Sequence, residues 1–174
     1  PDSLLKNFCS FVEASDPSSQ HIIAANEGAA VSIGIGHYLA TNNPPMIYMQ
    51  NSCLGFSINP LISLAVKKFY SVPMILLIGW RGEPGVPDAP QHVKQGSVML
   101  DLLNVLEIPY EVITEKTKNT ELEEIINTLS VRAKTDHQPV AIVASKNSFS
   151  KYNSNARDDH SYSLSREEAL ELVL

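Results

Sequence analysis

Pro73-Met-Ile-Leu-Leu-Ile78 is an unbroken apolar run that ends at Gly79. It is far shorter than the ~20 apolar residues of a membrane-crossing helix. It also lacks the alternation of a strand with one wet face. Such a run reads as a strand covered on both sides, the situation of central strands in parallel sheets. Pro139-Val-Ala-Ile-Val143 repeats the pattern, and His21-Ile-Ile-Ala-Ala-Asn26, Met46-Ile-Tyr-Met-Gln50 and Tyr110-Glu-Val-Ile113 complete the set of predicted strands. Helical patterns fill the intervals. A small-residue helix is predicted from Glu27 to Leu39, and another from about Asn59-Pro60 to Phe69. Val93, Met99, Leu102, Leu103 and Leu106 mark a third by their near-helical spacing. Thr120 and Glu123 form a capping-box pattern ahead of a fourth, amphipathic run to Lys134. Strands alternating with helices at this spacing predict an α/β fold, doubly wound, with a mainly parallel sheet and helices on both faces.

The chain has 174 residues, room for one domain whose core needs no disulfide staple. Cys9 and Cys53 lie far apart and in no metal-like spacing, which suits reduced thiols in a cytoplasmic chain. A net charge of −6 argues against a nucleic-acid or acidic-membrane partner, either of which asks for a basic field. No signal-peptide pattern opens the chain. From Ser145 to Ser163 the composition turns to Ser, Asn, Lys, Asp and Tyr, and the apolar period is lost. The domain is therefore predicted to cover 1–145, with a linker over 146–164. Ser165-Arg-Glu-Glu168 is a second capping box, so 165–174 is expected to open a further domain. The other end reads Pro1-Asp-Ser rather than Met, and the whole is expected to be a piece of a longer polypeptide.

Ligands of open parallel sheets bind beyond the carboxyl ends of the strands. After the predicted strands come Glu27-Gly28, then Asn51-Ser-Cys-Leu-Gly55, then Gly79-Trp-Arg-Gly-Glu-Pro-Gly85 leading to Asp88-Ala-Pro-Gln-His-Val-Lys-Gln95. Glu27 is either a helix-terminal charge favoured by the dipole or a partly buried acid serving chemistry. Asn51 to Gly55 is a simple turn or a set of backbone amides facing a ligand. Arg81 is a surface charge or a forked clamp for an anion, and the Gly- and Pro-rich loop around it is a candidate mobile cover. His92 is a structural histidine or a general acid/base. His21, His37, His137 and His160 have no convergent partners in sequence and read as structural or exposed. Gly34 and Gly36 weaken their helix by about 1 kcal/mol each, which predicts a close helix–helix contact between subunits. No metal-ligand spacing, nucleophile elbow or phosphate-binding Gly-rich loop is present.

Several segments go further when taken together. Pro1-Asp-Ser-Leu-Leu-Lys6, Ile23-Ala-Ala-Asn-Glu-Gly-Ala-Ala30, Tyr48-Met-Gln-Asn-Ser52, Ser57-Ile-Asn-Pro-Leu61, Leu77-Ile-Gly-Trp-Arg-Gly-Glu-Pro-Gly85 and Asp88-Ala-Pro-Gln-His-Val-Lys-Gln-Gly96 span most of the chain. They resemble the phosphonopyruvate decarboxylases, thiamine-diphosphate-dependent enzymes similar to sulfopyruvate decarboxylase, in their N-terminal, pyrimidine-binding domain. The resemblance implies conversion of 3-phosphonopyruvate, a small 2-keto acid, to phosphonoacetaldehyde and carbon dioxide. It makes Glu27 the cofactor-activating acid, hydrogen-bonded to the aminopyrimidine ring nitrogen. It also puts Asn51, Ser52 and Gly55 at the cofactor, and Asp2, Ser3, Arg81 and Gln91 at the substrate, with His92 as a proton-transfer group.

The resemblance further implies that the ligands for diphosphate and Mg2+ lie on a second domain, and that the active site forms between subunits of at least a homodimer. The chain by itself is then expected to be inactive. Cys53 and Phe56 depart from the Gly and Asn usual at those points of the family. Two other readings stand beside this one: the alpha subunit of a sulfopyruvate decarboxylase, and a non-catalytic regulatory homologue, which Cys53 and Phe56 would favour.

Overall fold

The computed structural model describes residues 3–15 and 21–153. Its centre is a parallel sheet of four strands: β1 (Met46–Gln50), β2 (Met74–Gly79), β3 (Tyr110–Ile113) and β4 (Pro139–Ala144), in the order β1-β2-β4-β3. The helices are α1 (Lys6–Ser15), α2 (Glu27–Thr41), α3 (Leu54–Pro60), α4 (Pro90–Val105) and α5 (Asn119–Asp136). In register, Gln50 pairs with Gly79, Gly79 with Ala144, and Ala144 with Ile113. The carboxyl ends of all four strands therefore finish in one row.

The apolar runs do what an unalternating strand predicts. Leu76, Ile78 and Val143 pack with Val31, Ile35, Leu54, Met99 and Leu103 of α2, α3 and α4. Their neighbours Leu77, Ile142 and Ala144 pack on the opposite face with Leu5, Cys9, Leu129 and Ala133 of the N-terminal segment, α1 and α5. Successive residues of one strand point to opposite faces, so β2 and β4 serve two cores at once. Each fully buried Leu, Ile or Val contributes roughly 1.5–3 kcal/mol. The doubly wound α/β arrangement is as predicted.

Several local expectations are corrected. His21–Asn26 is not a strand. It joins no ladder, and Ile22 and Ile23 are 61% and 76% exposed, so neither has a face to cover. Its anchor is instead a hydrogen bond of 2.6 Å between His21 Nε2 and the Tyr48 hydroxyl on β1. Asn51–Gly55 is not a loop: a 3-10 turn over Asn51–Cys53 runs straight into α3. A π-helical turn, Leu61–Ala65, follows Pro60, whose missing N–H disrupts regular pairing. The helix predicted from Asn59 thus starts earlier and stops before Phe69.

α4 begins at Pro90 rather than Val93, proline being well suited to a first helical position. α5 begins at Asn119 with Lys118 as its cap residue, so Thr120 lies inside the helix and the capping box with Glu123 does not form. α1 had no counterpart among the predicted elements. Gly34 does not serve a subunit contact: a Cβ there would stand 2.8 Å from Ile47 Cδ1 and 3.1 Å from Pro45 Cγ, so it seats α2 on β1. Gly36 faces open space.

Residues 146–153 of the predicted linker form neither helix nor strand, yet they lie against α1. Phe149 and Tyr152 set their rings 5.8 and 5.6 Å from those of Phe8 and Phe11. The rest of that linker and the capping box at Ser165 lie outside the described residues, as do Asp2 and His160.

Candidate active site

Every candidate residue among those described sits at the row of strand ends or on the helix heads above it. Two groups emerge. The first is built on the end of β2. Asn51, directly after β1, is 5% exposed. Its side-chain amide donates to the Arg81 carbonyl at 2.8 Å and accepts from the Arg81 N–H at 3.1 Å. It acts as a surrogate peptide group that extends the β1–β2 ladder beyond Gln50 and Gly79. Arg81 in turn forks onto Asp88, Nε donating to Oδ2 at 2.7 Å and Nη2 to Oδ1. Arg81 Nη1 donates to Ser3 Oγ at 2.9 Å.

Asp88 also accepts from the N–H groups of Gly82 and Ala89, at 2.8 and 2.7 Å. The Arg81 hydrogen bonds above all, and these two amides, hold its carboxyl well below the usual carboxylate range against the opposing effect of burial. Arg81 is thus neither a loose surface charge nor an open clamp. Its fork is engaged in shaping the loop, and an incoming anion competes with Asp88 for it.

The same loop is welded to α4. Gly82 has φ of +68°, a left-handed backbone that glycine adopts at no steric cost. A Cβ on Gly82 would strike the His92 carbonyl, and one on Gly96 would strike the carbonyl of Gly82. Trp80 Nε1 closes the seam by donating to the Gly96 carbonyl at 2.9 Å. Trp80 to Gly82 is therefore pinned and is no mobile cover; the exposed Pro84, Gly85 and Pro87 lie further along. His92 is half-buried in the first turns of α4, and its Nδ1 is buried without a hydrogen-bond partner. Glu83 Oε2, beside the seam, is buried and unpartnered as well. Gln91 is exposed on the first turn of the same helix.

The second group is built on the end of β1 and the head of α2. Glu27 is the first residue of α2 and half-buried. Asn26 caps that helix by accepting from the Ala29 N–H at 2.8 Å, so Glu27 is left free of the capping role. A Cβ on Gly28 would stand 2.7 Å from the Phe56 carbonyl oxygen, which brings α3 hard against α2 and the 3-10 turn next to Glu27. Burial first, then a hydrogen bond with Glu27, pushes the Cys53 thiol up. Ser52 Oγ accepts from Gln50 Nε2 at 2.6 Å. Gly55 is exposed with open space where a Cβ would stand.

The fold thus gathers Asn51, Arg81 and Ser3 at one point, and Glu27 with Ser52 at the other. Sequence reasoning did not single out Asp88, although a carboxylate seven residues after an arginine inside a Gly- and Pro-rich loop is a usable signal.

Comparison with known proteins identifies this arrangement. Residues 1–104 match the family described as thiamine pyrophosphate enzyme, N-terminal TPP binding domain. Phosphonopyruvate decarboxylase of Streptomyces viridochromogenes is 34% identical over 103 residues, 59% of this chain and 25% of that protein. Sulfopyruvate decarboxylase subunit alpha of Methanocaldococcus jannaschii is 37% identical over 109 residues, 63% of this chain and 62% of that subunit. The subunit alpha of Methanothermobacter thermautotrophicus is 33% identical over 106 residues, 61% of each. The chain therefore spans about a quarter of the first relative's length and about three-fifths of the alpha subunits'. The matched stretch takes in Glu27, the turn at Asn51–Gly55, the Arg81 loop and His92, and the chain belongs to the thiamine pyrophosphate enzymes through their N-terminal TPP-binding domain.

Proposed function

We propose that this chain supplies the pyrimidine-binding side of a thiamine-diphosphate-dependent carboxy-lyase that converts 3-phosphonopyruvate to phosphonoacetaldehyde and carbon dioxide in the cytoplasm. One observation carries the reading. Glu27 stands at the head of α2, half-buried and relieved of capping by Asn26, within the stretch matched by the family. A carboxyl group so placed fits the ring nitrogen of an aminopyrimidine, which needs one hydrogen-bonding acid beside it. When bound, the cofactor supplies a thiazolium ring that takes up the electron pair left as carbon dioxide departs.

The chain's own residues do the rest. Glu27 holds a proton at the pyrimidine ring nitrogen. Ser52 and Gly55 line the cofactor along the turn, and Asn51 keeps that turn in place through its bonds to Arg81. His92 moves a proton at the reacting carbon, from its half-buried place on the first turn of α4 beside the strand ends. Ser3 and Gln91 are assigned to the substrate, as Asp2 is by the resemblance alone, and Arg81 supports Ser3 directly and its own loop through Asp88.

Among the described residues no group of three or more His, Cys, Asp or Glu could hold a metal ion. We assign Mg2+ and diphosphate binding to a second domain, with the cofactor between subunits of at least a homodimer. Ile33, Leu39 and Phe56, exposed on α2 and α3, support such a contact. No helix among the described residues is long and apolar enough to cross a membrane.

The test is Glu27→Gln in the intact protein, assayed by carbon dioxide release from phosphonopyruvate. Loss of general acid–base help at this position lowers turnover by about 100-fold or more; unchanged turnover removes Glu27 from the mechanism. A second reading is the alpha subunit of a sulfopyruvate decarboxylase, favoured by the 37% identity over 62% of such a subunit. Steady-state kcat/KM for phosphonopyruvate against sulfopyruvate separates the two.

A further inference from the structure

Arg81 ties together two segments that serve opposite faces of the sheet. Its Nε and Nη2 fork onto Asp88, just ahead of α4, and its Nη1 donates to Ser3 Oγ at 2.9 Å, just ahead of α1. Leu5 and Cys9 of the N-terminal segment pack on one face, Met99 and Leu103 of α4 on the other. A guanidinium is planar, so a fork onto one carboxylate fixes its plane and the direction of Nη1. Asp88 is itself held by the N–H groups of Gly82 and Ala89 at 2.8 and 2.7 Å, and the Arg81 backbone by Asn51. Ser3 is therefore met by a donor whose place is set at every link.

An arginine side chain carries donors only. At this contact Ser3 Oγ accepts, and its own O–H is turned elsewhere. Ser3 is exposed, and among the described residues its O–H meets no acceptor. A hydroxyl in this state offers a proton, made a stronger donor by the cation behind it, and its complement is an oxygen carrying negative charge. The Asp88 carboxylate does not repel such a group, because its oxygens are already occupied by the Arg81 fork and two backbone amides.

We propose that Asp88 is a positioning residue for substrate recognition: it aims Arg81 so that Ser3 is held as a hydrogen-bond donor to an anionic oxygen of the 2-keto acid. The inference rests on the assignment of Ser3 to the substrate given above. It adds the kind of group that Ser3 meets and the carboxylate that keeps Ser3 in that state. Stability alone asks little of the last link, since an exposed polar contact contributes little to folding.

Steady-state decarboxylation by the intact protein with thiamine diphosphate and Mg2+ tests this, on whichever of phosphonopyruvate and sulfopyruvate it turns over. Asp88→Asn keeps the side-chain shape and breaks the fork. It raises KM about tenfold, the worth of one hydrogen bond to a charged group, and lowers kcat per folded molecule by less. A merely structural Asp88 gives the other pattern, fewer folded molecules and a lower apparent kcat at unchanged KM, and that result overturns the positioning role. Ser3→Ala, at an exposed site, raises KM to the same extent, and Ser3→Thr, which keeps the hydroxyl, restores it. Asp88→Asn added to Ser3→Ala raises KM by less than about twofold more, because both changes act at one hydroxyl. Two tenfold rises that multiply overturn the relay.

Nitrogen-15 NMR of the Arg81 Nε–H needs no substrate. That proton is protected from solvent exchange in wild type and in Ser3→Ala and exchanges freely in Asp88→Asn; equal exchange in all three overturns the fork. A wild type that releases carbon dioxide from neither substrate, with this proton protected, refutes the functional reading by a distinct signature, and the positioning role falls with it.

Discussion

Replacing Gly96 with alanine adds a methyl group to the interior of α4, a change that helix propensity alone favours by about 1 kcal/mol. The structure predicts the opposite sign. A Cβ at this point collides with the backbone carbonyl of Gly82 and lies 2.6 Å from the Arg81 carbonyl oxygen, where ordinary contact begins near 3.4 Å. The Arg81 carbonyl must retreat by about 0.8 Å and Gly82 by more. Both are backbone atoms in a tethered loop. Arg81 exchanges bonds of 2.8 and 3.1 Å with Asn51, Gly82 donates to Asp88 at 2.8 Å, and Trp80 reaches Gly96 itself at 2.9 Å. Losing two of these at about 1 kcal/mol each, with overpacking of about 1–3 kcal/mol and the propensity gain set against them, leaves a net destabilisation of roughly 2–4 kcal/mol. Urea unfolding followed by far-ultraviolet circular dichroism reads it as a lower midpoint at unchanged slope. Gly36→Ala is the control for the chain's own fold, since nothing in the chain lies within 4 Å of its Cβ position. Both variants are compared in protein diluted to single subunits, because Ile33 and Leu39 flank Gly36 on the face assigned to the subunit contact. Gly36→Ala gains about 0.5–1 kcal/mol. A Gly96→Ala protein as stable as wild type, or shifted in the same direction as Gly36→Ala, refutes the backbone seam.

Asp88→Asn exchanges a carboxylate with four hydrogen-bonded donors for a neutral amide, and destabilises the protein by about 2–3 kcal/mol at pH 7. Because the folded carboxyl is held below its ordinary value of 3.8, its contribution is complete above that pH and drains away as pH falls further. The stability gap between wild type and variant therefore narrows in acid; a gap that widens below pH 4 contradicts the ion pair. Tyr48→Phe removes the hydroxyl that holds His21 at 2.6 Å and keeps the ring on Phe8, costing about 1 kcal/mol. Amide exchange over residues 22–25 rises while β2 and β4 stay protected, and equal exchange in both proteins defeats the anchor. Burial pushes the Tyr48 phenol up to about 12, so the same substitution deletes a tyrosine that ionises late in an alkaline titration; loss of one ionising near 10 instead counts against its burial.

How much of this was legible in the sequence depended on whether a residue's meaning was local. Leu76, Leu77, Ile142 and Val143 announce strands buried on both faces because no other short element tolerates such a run, and β2 and β4 lie where the runs do. Ile22 and Ile23 carry the same letters without the same outcome, because a strand is made by its neighbour's backbone and not by its own side chains. α1 went unread since its apolar Phe8 and Cys9 are mixed with Lys6, Asn7 and Ser10. In the site, Glu27 stands at the head of a helix as the sequence placed it, although the segment ahead of it, read as a strand, forms none. The engagement of Arg81 was not legible, because its partner Asp88 is reached only after the backbone reverses at Gly82. Gly34 announced a close approach correctly, but a sequence does not say whether the approaching body belongs to the same chain.

Asn51 has a consequence for the chemical lifetime of the protein. Asn-Ser is a pair whose side-chain amide is prone to hydrolysis, and here that amide does a peptide's work between two strand ends. Conversion to aspartate would replace the donor facing the Arg81 carbonyl with a second oxygen, setting oxygen against oxygen across the 2.8 Å that the bond now spans. One ageing event, nearly invisible to mass, would therefore unlatch β1 from the loop that carries Arg81, Gly82 and the approach to His92. The burial and the paired bonds that fix Asn51 are also what shield it from that fate.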